Sequence, residues 1–316
     1  MRFLVTGATG FVGGCLVRAL VAAGHDVTAV VRDPGKAADL ADIGVTVRKG
    51  DVTHKESMRA PMTGVDGVFH VAGWYKIGGR NRSQGRAVNV DGTRNVLELM
   101  RELGVPKGVY TSTLAVFGDT RGKVVDETYR PDRPYITEYD RTKAAAHFEV
   151  AEPLMRGSLP LVIVQPGVIY GPGDTSQLGD AVRRYLRRKL PAVPRDAAYC
   201  WAHVDDIVRA HILAMEKGRV GESYIIAGEP RRFVEVLELA ERVTGIPPPR
   251  FRPSTRALRV LAAITRSEIL RAAPATYLGR NDKAKRELGL VHRPLEDGLR
   301  DTLTHEMAAM GIRASR

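Results

Sequence analysis

The stretch MRFLVTGATGFVG, Met1–Gly13, decides how the rest of the chain is read. Arg2–Thr6 is a short apolar run suited to a buried strand, and Phe11–Ala23 repeats apolar residues at three- and four-residue spacing, as an amphipathic helix does. Between them stand Gly7, Gly10 and Gly13, with Ala8 and Thr9 filling the first gap to give G-x-x-G-x-x-G. Glycines in that place let the backbone turn sharply and approach a pyrophosphate held at the helix N-terminus. A bare glycine turn says little, but one set between a strand and an amphipathic helix is specific. Gly7, Thr9, Gly10, Phe11 and Val12 are expected to bind the cofactor.

Outward from this turn, further short apolar runs at Asp26–Val31, Val45–Lys49, Gly67–Val71, Gly108–Ser112 and Leu161–Gln165 alternate with helical stretches such as Val88–Leu103 and Tyr139–Leu154. Alternation of this kind predicts an α/β fold, a doubly wound parallel sheet of the Rossmann type. After Gln165 the rhythm breaks into PGVIYGPGD, a basic helix near Asp180–Lys189 and the proline-spaced LPAVPRD. The expected division is a dinucleotide-binding domain over 1–166, with 198–220 returning to it, and a smaller, mostly helical substrate-binding region over 167–197 and 221–316.

The end of the second strand selects between nicotinamide cofactors, since an acid there binds the ribose diol and an arginine accommodates a 2′-phosphate. Arg32 holds that place, with Lys36 adding charge, so NADP is expected over NAD, which Asp33 keeps open.

Composition narrows the remaining classes. A chain of 316 residues with 44% hydrophobic and 27% charged residues is ordinary for a globular protein with a full core. Two distant cysteines, Cys15 and Cys200, fit a reducing compartment, and no secretion signal or membrane-spanning apolar run is visible, so a cytoplasmic protein without a membrane partner is expected. The net charge of +12 suits an anionic cofactor or substrate; arginine is scattered and no nucleic-acid-binding signature appears.

Two tyrosine–lysine pairs share helical i, i+4 spacing, Tyr139 with Lys143 in EYDRTK and Tyr185 with Lys189 in RYLRRK. A neighbouring ammonium would favour the ionised phenol and make it a better acid. The context separates the pairs: the first follows a hydroxyl-bearing strand end, YTSTLAVFG, whereas the second lies among four arginines and is expected to be helix surface.

TGATGFVG, GDV at Gly50–Val52, HVAG at His70–Gly73, VNVDGTRNVL at Val88–Leu97, YTSTLAVFG, the Tyr139 pair, QPGVIYGPGD and HVDDIVRAH come in an order that resembles the extended short-chain dehydrogenase/reductases, epimerase/dehydratase-like, and within them the dihydroflavonol 4-reductase group. The likeness covers nearly the whole chain. It implies that Asp51 and Val52 contact the adenine, that Val71, Ala72 and Gly73 run along the cofactor, and that Pro166, Gly167 and Val168 lie near the carboxamide, with Asn89 in a supporting role and Gln165 where relatives often have arginine. It also implies an active site in which Tyr139 protonates the substrate oxygen, Thr113 or Ser112 orients it, and Lys143 binds the nicotinamide ribose. A homodimer is implied by the resemblance alone.

Trp74, Tyr75, Leu114, Tyr170 and Trp201 are candidate substrate contacts, and together they suggest a substrate with apolar surface. The expected activity is NADP-dependent reduction of a small ketone or aldehyde, or oxidation of the matching alcohol. Two other classes stay open: a nucleotide-sugar epimerase or dehydratase with tightly held NAD, for which Arg183, Arg184, Arg187 and Arg188 would receive a pyrophosphate, and a non-catalytic NADP sensor. An intact Thr113, Tyr139 and Lys143 set favours an enzyme.

Overall fold

The computed structural model describes residues 1–78 and 82–312. Nearly continuous apolar runs suit strands buried on both faces, and most of the seven strands of one parallel sheet are of this kind, the exposed edge strand β3 excepted: β1 (Arg2–Thr6), β2 (Asp26–Val31), β3 (Thr46–Lys49), β4 (Gly67–His70), β5 (Gly108–Thr111), β6 (Leu161–Pro166) and, later in the chain, β9 (Ser223–Ile226). Their order is β3-β2-β1-β4-β5-β6-β9. It reverses between β1 and β4, the switch point at which doubly wound sheets bind their ligands.

Side-chain alternation divides the core in two. Phe3, Val5, Val109, Val162 and Val164 face the helices Phe11–Ala22 and Val204–Glu216. Leu4, Val68, Tyr110, Leu161 and Ile163 face Gly92–Glu102 and the segment around Ala146 and Ala151. Two stretches expected as plain helices contain π-helical turns, Ala87–Asp91 and Ala145–Ala151. Such turns recur at functional sites, and here they aim Asn89 and His147 at the strand ends.

The second lobe has its own small sheet: β8 (Ala198–His203) pairs with β7 (Val168–Tyr170), β10 (Glu229–Arg232) and β11 (Thr276–Tyr277). Helices Gln177–Leu186, Phe233–Thr244 and Leu295–Ala309 cover it. The division expected at 198–220 and 221–316 differs in part from the observed one: the helix Val204–Glu216 packs on the large sheet, but the strands on either side of it do not divide as expected. Strand β8 belongs to the small sheet, whereas β9 pairs with β6 and completes the large one, and Ala284, Leu288 and Leu290 join its core.

Tyr185 corrects a second expectation. It is 2% exposed, packed between helices of the second lobe with its hydroxyl donating to the carbonyl of Ile246, because the apolar side of its helix faces inward. The helix ends at Leu186, so Lys189 lies outside it and the i, i+4 geometry is not formed.

Candidate active site

The glycine turn closes tightly. Gly7 has φ +75°, and a Cβ there would stand 2.6 Å from the Ala72 nitrogen at the end of β4. Gly13 is as constrained, since its Cβ would fall 2.1 Å from the Gly7 carbonyl oxygen. Gly10 is exposed at the N-cap of the first helix, which no side chain among the described residues caps. The result is a bare helix N-terminus with backbone access, which fits the pyrophosphate of a dinucleotide.

The chain around this cradle is also suited to the rest of such a cofactor. Arg32 and Lys36 are exposed beyond β2 and form no ion pair among the described residues. Asp33 is committed elsewhere: its carboxylate accepts from the Gly35 N–H at 3.1 Å and caps the short turn that follows. Asp51 accepts from Thr53 through one oxygen, and Val52 is buried against Gly92. After β4, the Trp74 N–H donates to the Asn89 side chain at 2.7 Å. The Asn89 amide in turn donates to the Trp74 carbonyl and to Thr142, both at 2.9 Å. Asn89 thus ties the strand-end loop to the helix carrying Tyr139.

That helix, Glu138–Ala144, starts at a capping box in which Thr137 accepts from the Asp140 N–H and Asp140 accepts from the Thr137 N–H. Half-buried Tyr139 meets the hydroxyl of Thr113. Burial pushes its phenol up to about 12, offset in part by Thr113 and reinforced by Asp140. Ser112 points the other way: its hydroxyl lies 2.8 Å from His147 Nδ1, and His147 Nε2 is 3.4 Å from Glu152, which also holds Arg130 and Arg156. Ser112 and Thr113 both lie just past β5, Thr113 at the cap of the short helix Leu114–Phe117, and the hydroxyl that reaches Tyr139 is Thr113.

Lys143 is 4% exposed, and burial pulls it down to about 7. Its ammonium donates to the Thr111 carbonyl at 2.8 Å and to the Tyr110 hydroxyl at 3.2 Å. The expectation that Lys143 acidifies Tyr139 is therefore not met in the free protein, where strand-end acceptors take up the ammonium. Sequence reasoning also missed a cluster behind the tyrosine. Tyr277, from β11, donates to Asp140 at 3.0 Å and stacks on Tyr199, while burial pushes Asp140 up to about 6. Only the capping-box pattern of Thr137 and Asp140 could have drawn attention to it.

The candidate substrate residues separate. Tyr75 is exposed, Trp74 is buried against Gly85, and Leu114 is buried against Gly279. Tyr170 and Trp201 lie in the core of the second lobe, the former donating to the Leu295 carbonyl at 3.4 Å and the latter to the Arg231 carbonyl at 3.1 Å. Their polar ends are thereby engaged inside the fold. Pro166 ends β6, Gly167 donates to the Ile226 carbonyl at 3.2 Å, and Val168 begins β7. Gln165 is fully buried, with neither end of its amide partnered among the described residues.

Fold and site together define an enzyme of the Rossmann class that uses a nicotinamide dinucleotide. The chain belongs to the NAD dependent epimerase/dehydratase family, whose model matches residues 3–227. It is 32% identical to sterol demethylase protein B of Methylococcus capsulatus, over 92% of this chain and 94% of that one. It is also 32% identical to a putative dihydroflavonol 4-reductase of Synechocystis, over 95% and 93% of the two chains. A 4-hydroxy-2-methyl-3-oxo-4-farnesyl-3,4-dihydroquinoline-1-oxide ketoreductase of Stigmatella aurantiaca is 33% identical, with 99% of this chain and 100% of that one covered. Among solved structures, gox2253 superposes with TM-score 0.87 at 29% identity over 99% of both chains. The UDP-glucose 4-epimerase of Thermotoga maritima superposes at 0.82 and 24% identity, over 98% and 100% of the chains, a likeness of fold.

Proposed function

We propose that the chain is an NADP-dependent carbonyl reductase that reduces a ketone or aldehyde with apolar surface, or oxidises the matching alcohol. The observation that carries the reading is the contact between Thr113 and a Tyr139 phenol kept protonated by burial. A protonated phenol beside a second hydroxyl can hold a carbonyl oxygen and give it a proton as negative charge develops there. Bound reduced nicotinamide supplies the hydride. Thr113 orients the substrate oxygen, and Lys143, buried under the strand end, offers its ammonium to the cofactor ribose. Arg32 and Lys36, without an ion-pair partner among the described residues, and Asp33, occupied in its turn, support the 2′-phosphate form of the cofactor. Relatives whose names carry a sterol or a farnesyl group support an apolar substrate.

The test is a panel of ketones and aldehydes assayed with NADPH and NADH, beside incubations with UDP- and GDP-sugars. Carbonyl-dependent oxidation of NADPH, faster than that of NADH, is expected. Sugar isomerisation without net cofactor turnover would replace this reading with the epimerase one, and a preference for NADH would overturn the assignment of Arg32.

A further inference from the structure

The stretch TRALRVLAAITRSEILRAAP could serve, by sequence, as substrate lid, dimer contact or core. The structure makes most of it surface. Of the helix Thr255–Thr265, only Leu258 and Ala262 are buried, while Val260, Leu261 and Ile264 are 56%, 45% and 75% exposed along one stripe. Phe251 and Ile269, just before and after the helix, are 67% and 54% exposed. The helix is firmly seated: Ser254 caps it, and the Asp196 carboxylate accepts from both the N–H and the hydroxyl of Thr255. An apolar stripe held outward on an anchored helix calls for a cover.

The charge around it is mainly positive, and the nearby acids are engaged: Asp196 by Thr255 and Glu238 by Arg252. From Arg250 to Arg271 the chain has six arginines and a single acid, Glu268. That acid is turned inward, accepting from the Glu138 N–H at 2.6 Å. Arg252 pairs with Glu238, and the other five arginines form no ion pair among the described residues.

We propose that this face docks on the surface of an anionic lipid bilayer, with the helix lying in the interface plane. A short helix with an apolar face and a basic flank buries the first at the acyl boundary and sets the second against lipid phosphates. A second copy of the chain is disfavoured, since a two-fold contact would set the arginines of one protomer against those of the other. The expectation of no membrane partner rested on the lack of a spanning run, and no helix among the described residues is long and apolar enough to cross a bilayer. Contact in the plane of the surface needs no such length. Through Glu268 and Glu138 the docking face adjoins the start of the Tyr139 helix, so a substrate dissolved in lipid would meet the site from that side. The docking proposal does not depend on the reaction assigned to the site.

Flotation of the full chain with vesicles of equimolar phosphatidylcholine and phosphatidylglycerol tests it, with phosphatidylcholine vesicles as comparison. Binding to the anionic vesicles is expected to be about tenfold stronger or more, and to weaken as salt rises. Leu261→Asp combined with Ile264→Asp should abolish flotation with the thermal unfolding midpoint unchanged, and Arg256→Gln with Arg259→Gln should remove only the preference for anionic lipid. The proposal is overturned if the unaltered chain stays out of the vesicle fraction or if the aspartate variant still floats. It is overturned equally by a dimer that Ile264→Asp returns to monomer, or by salt-sensitive capture of an acidic protein without any vesicle binding.

Discussion

The ammonium of Lys143 donates to the backbone carbonyl of Thr111 at 2.8 Å, fixing the helix Glu138–Ala144 to the end of β5. The same ammonium lies 4.8 Å above the Tyr110 ring and donates to its hydroxyl. From there the contacts continue: Tyr110 to Thr93, Thr93 to His70 Nε2 at 3.0 Å, and His70 Nδ1 to Thr6 at 2.8 Å, where Thr6 also receives the Ala72 N–H. A charged Lys143 makes the Tyr110 hydroxyl an acceptor, which leaves that hydroxyl's own hydrogen for Thr93. A buried chain of neutral groups thus joins the lysine to the glycine turn.

A pH dependence of cofactor binding follows. With Lys143 pulled down to about 7 by burial, the free protein loses the ammonium as pH rises past neutrality. Binding that requires the charged form should weaken above pH 7, by up to about tenfold per unit, with proton uptake measurable by calorimetry in buffers of different ionisation heat. Tyr110→Phe removes one acceptor of the ammonium and should move the break to lower pH. A break that persists in Lys143→Met would remove the lysine as its source.

The two adjacent hydroxyls should separate cleanly. Tyr139→Phe and Thr113→Val are expected to lower kcat by about 10²- to 10⁴-fold while still binding cofactor, and Thr113→Ser should recover most of the loss. Ser112→Ala leaves His147 Nδ1 without its partner, so a stability loss of about 1–3 kcal/mol is expected with turnover little changed. Steady-state kinetics beside urea unfolding decide the matter, and the opposite ranking would transfer the role to Ser112.

Most of the large sheet was legible because its strands carry apolar runs that only double-sided burial explains, and β1 and β2 fall on the residues expected of them. The boundary of the second lobe was not. Ala198–His203 and Ser223–Ile226 are both short apolar strands, and only pairing partners distant in sequence assign one to each sheet. For the candidate site, motif order proposes Thr113, Tyr139 and Lys143, but it says nothing of where the ammonium turns, since that depends on the Thr111 carbonyl and on a tyrosine at position 110. Tyr277 was illegible for the same reason: it reaches Asp140 across 137 positions of sequence.

The glycine turn gives a paired test of fold against binding. At Gly10 a methyl would stand 3.3 Å from the Gly7 carbonyl oxygen, a tight contact that a small shift relieves, and the backbone, at φ −87°, accepts any residue, so Gly10→Ala should fold with a much smaller loss of stability than Gly13→Ala. It would nonetheless stand where the pyrophosphate approaches, and cofactor Kd should rise about tenfold or more. Gly13→Ala must push the Gly7 carbonyl aside and should lower the melting temperature as well. Equal melting temperatures for the two variants would contradict the geometry of the turn.

Acid stability offers the last test. His70 and His211 are pulled down to about 3 and about 4 by burial, and His147 is lowered for the same reason, so all three are neutral in the fold. Below the ordinary histidine value of 6.5 the unfolded chain takes up protons that the fold refuses, so this stability is present above 6.5 and is lost as pH falls. Asp140, pushed up to about 6, works in the opposite direction, since the fold binds its proton before the unfolded chain does. His70 and His211 against Asp140 leave a net of about one proton over the acidic range, or roughly 1.4 kcal/mol per pH unit, and His147 acts in the same direction as the other two histidines. Urea unfolding at pH 7, 6 and 5 should show that fall, and His70→Gln should take about one proton out of the slope. Stability that stays level from pH 7 to pH 5, or a slope unchanged by His70→Gln, would show that these histidines do not govern acid unfolding.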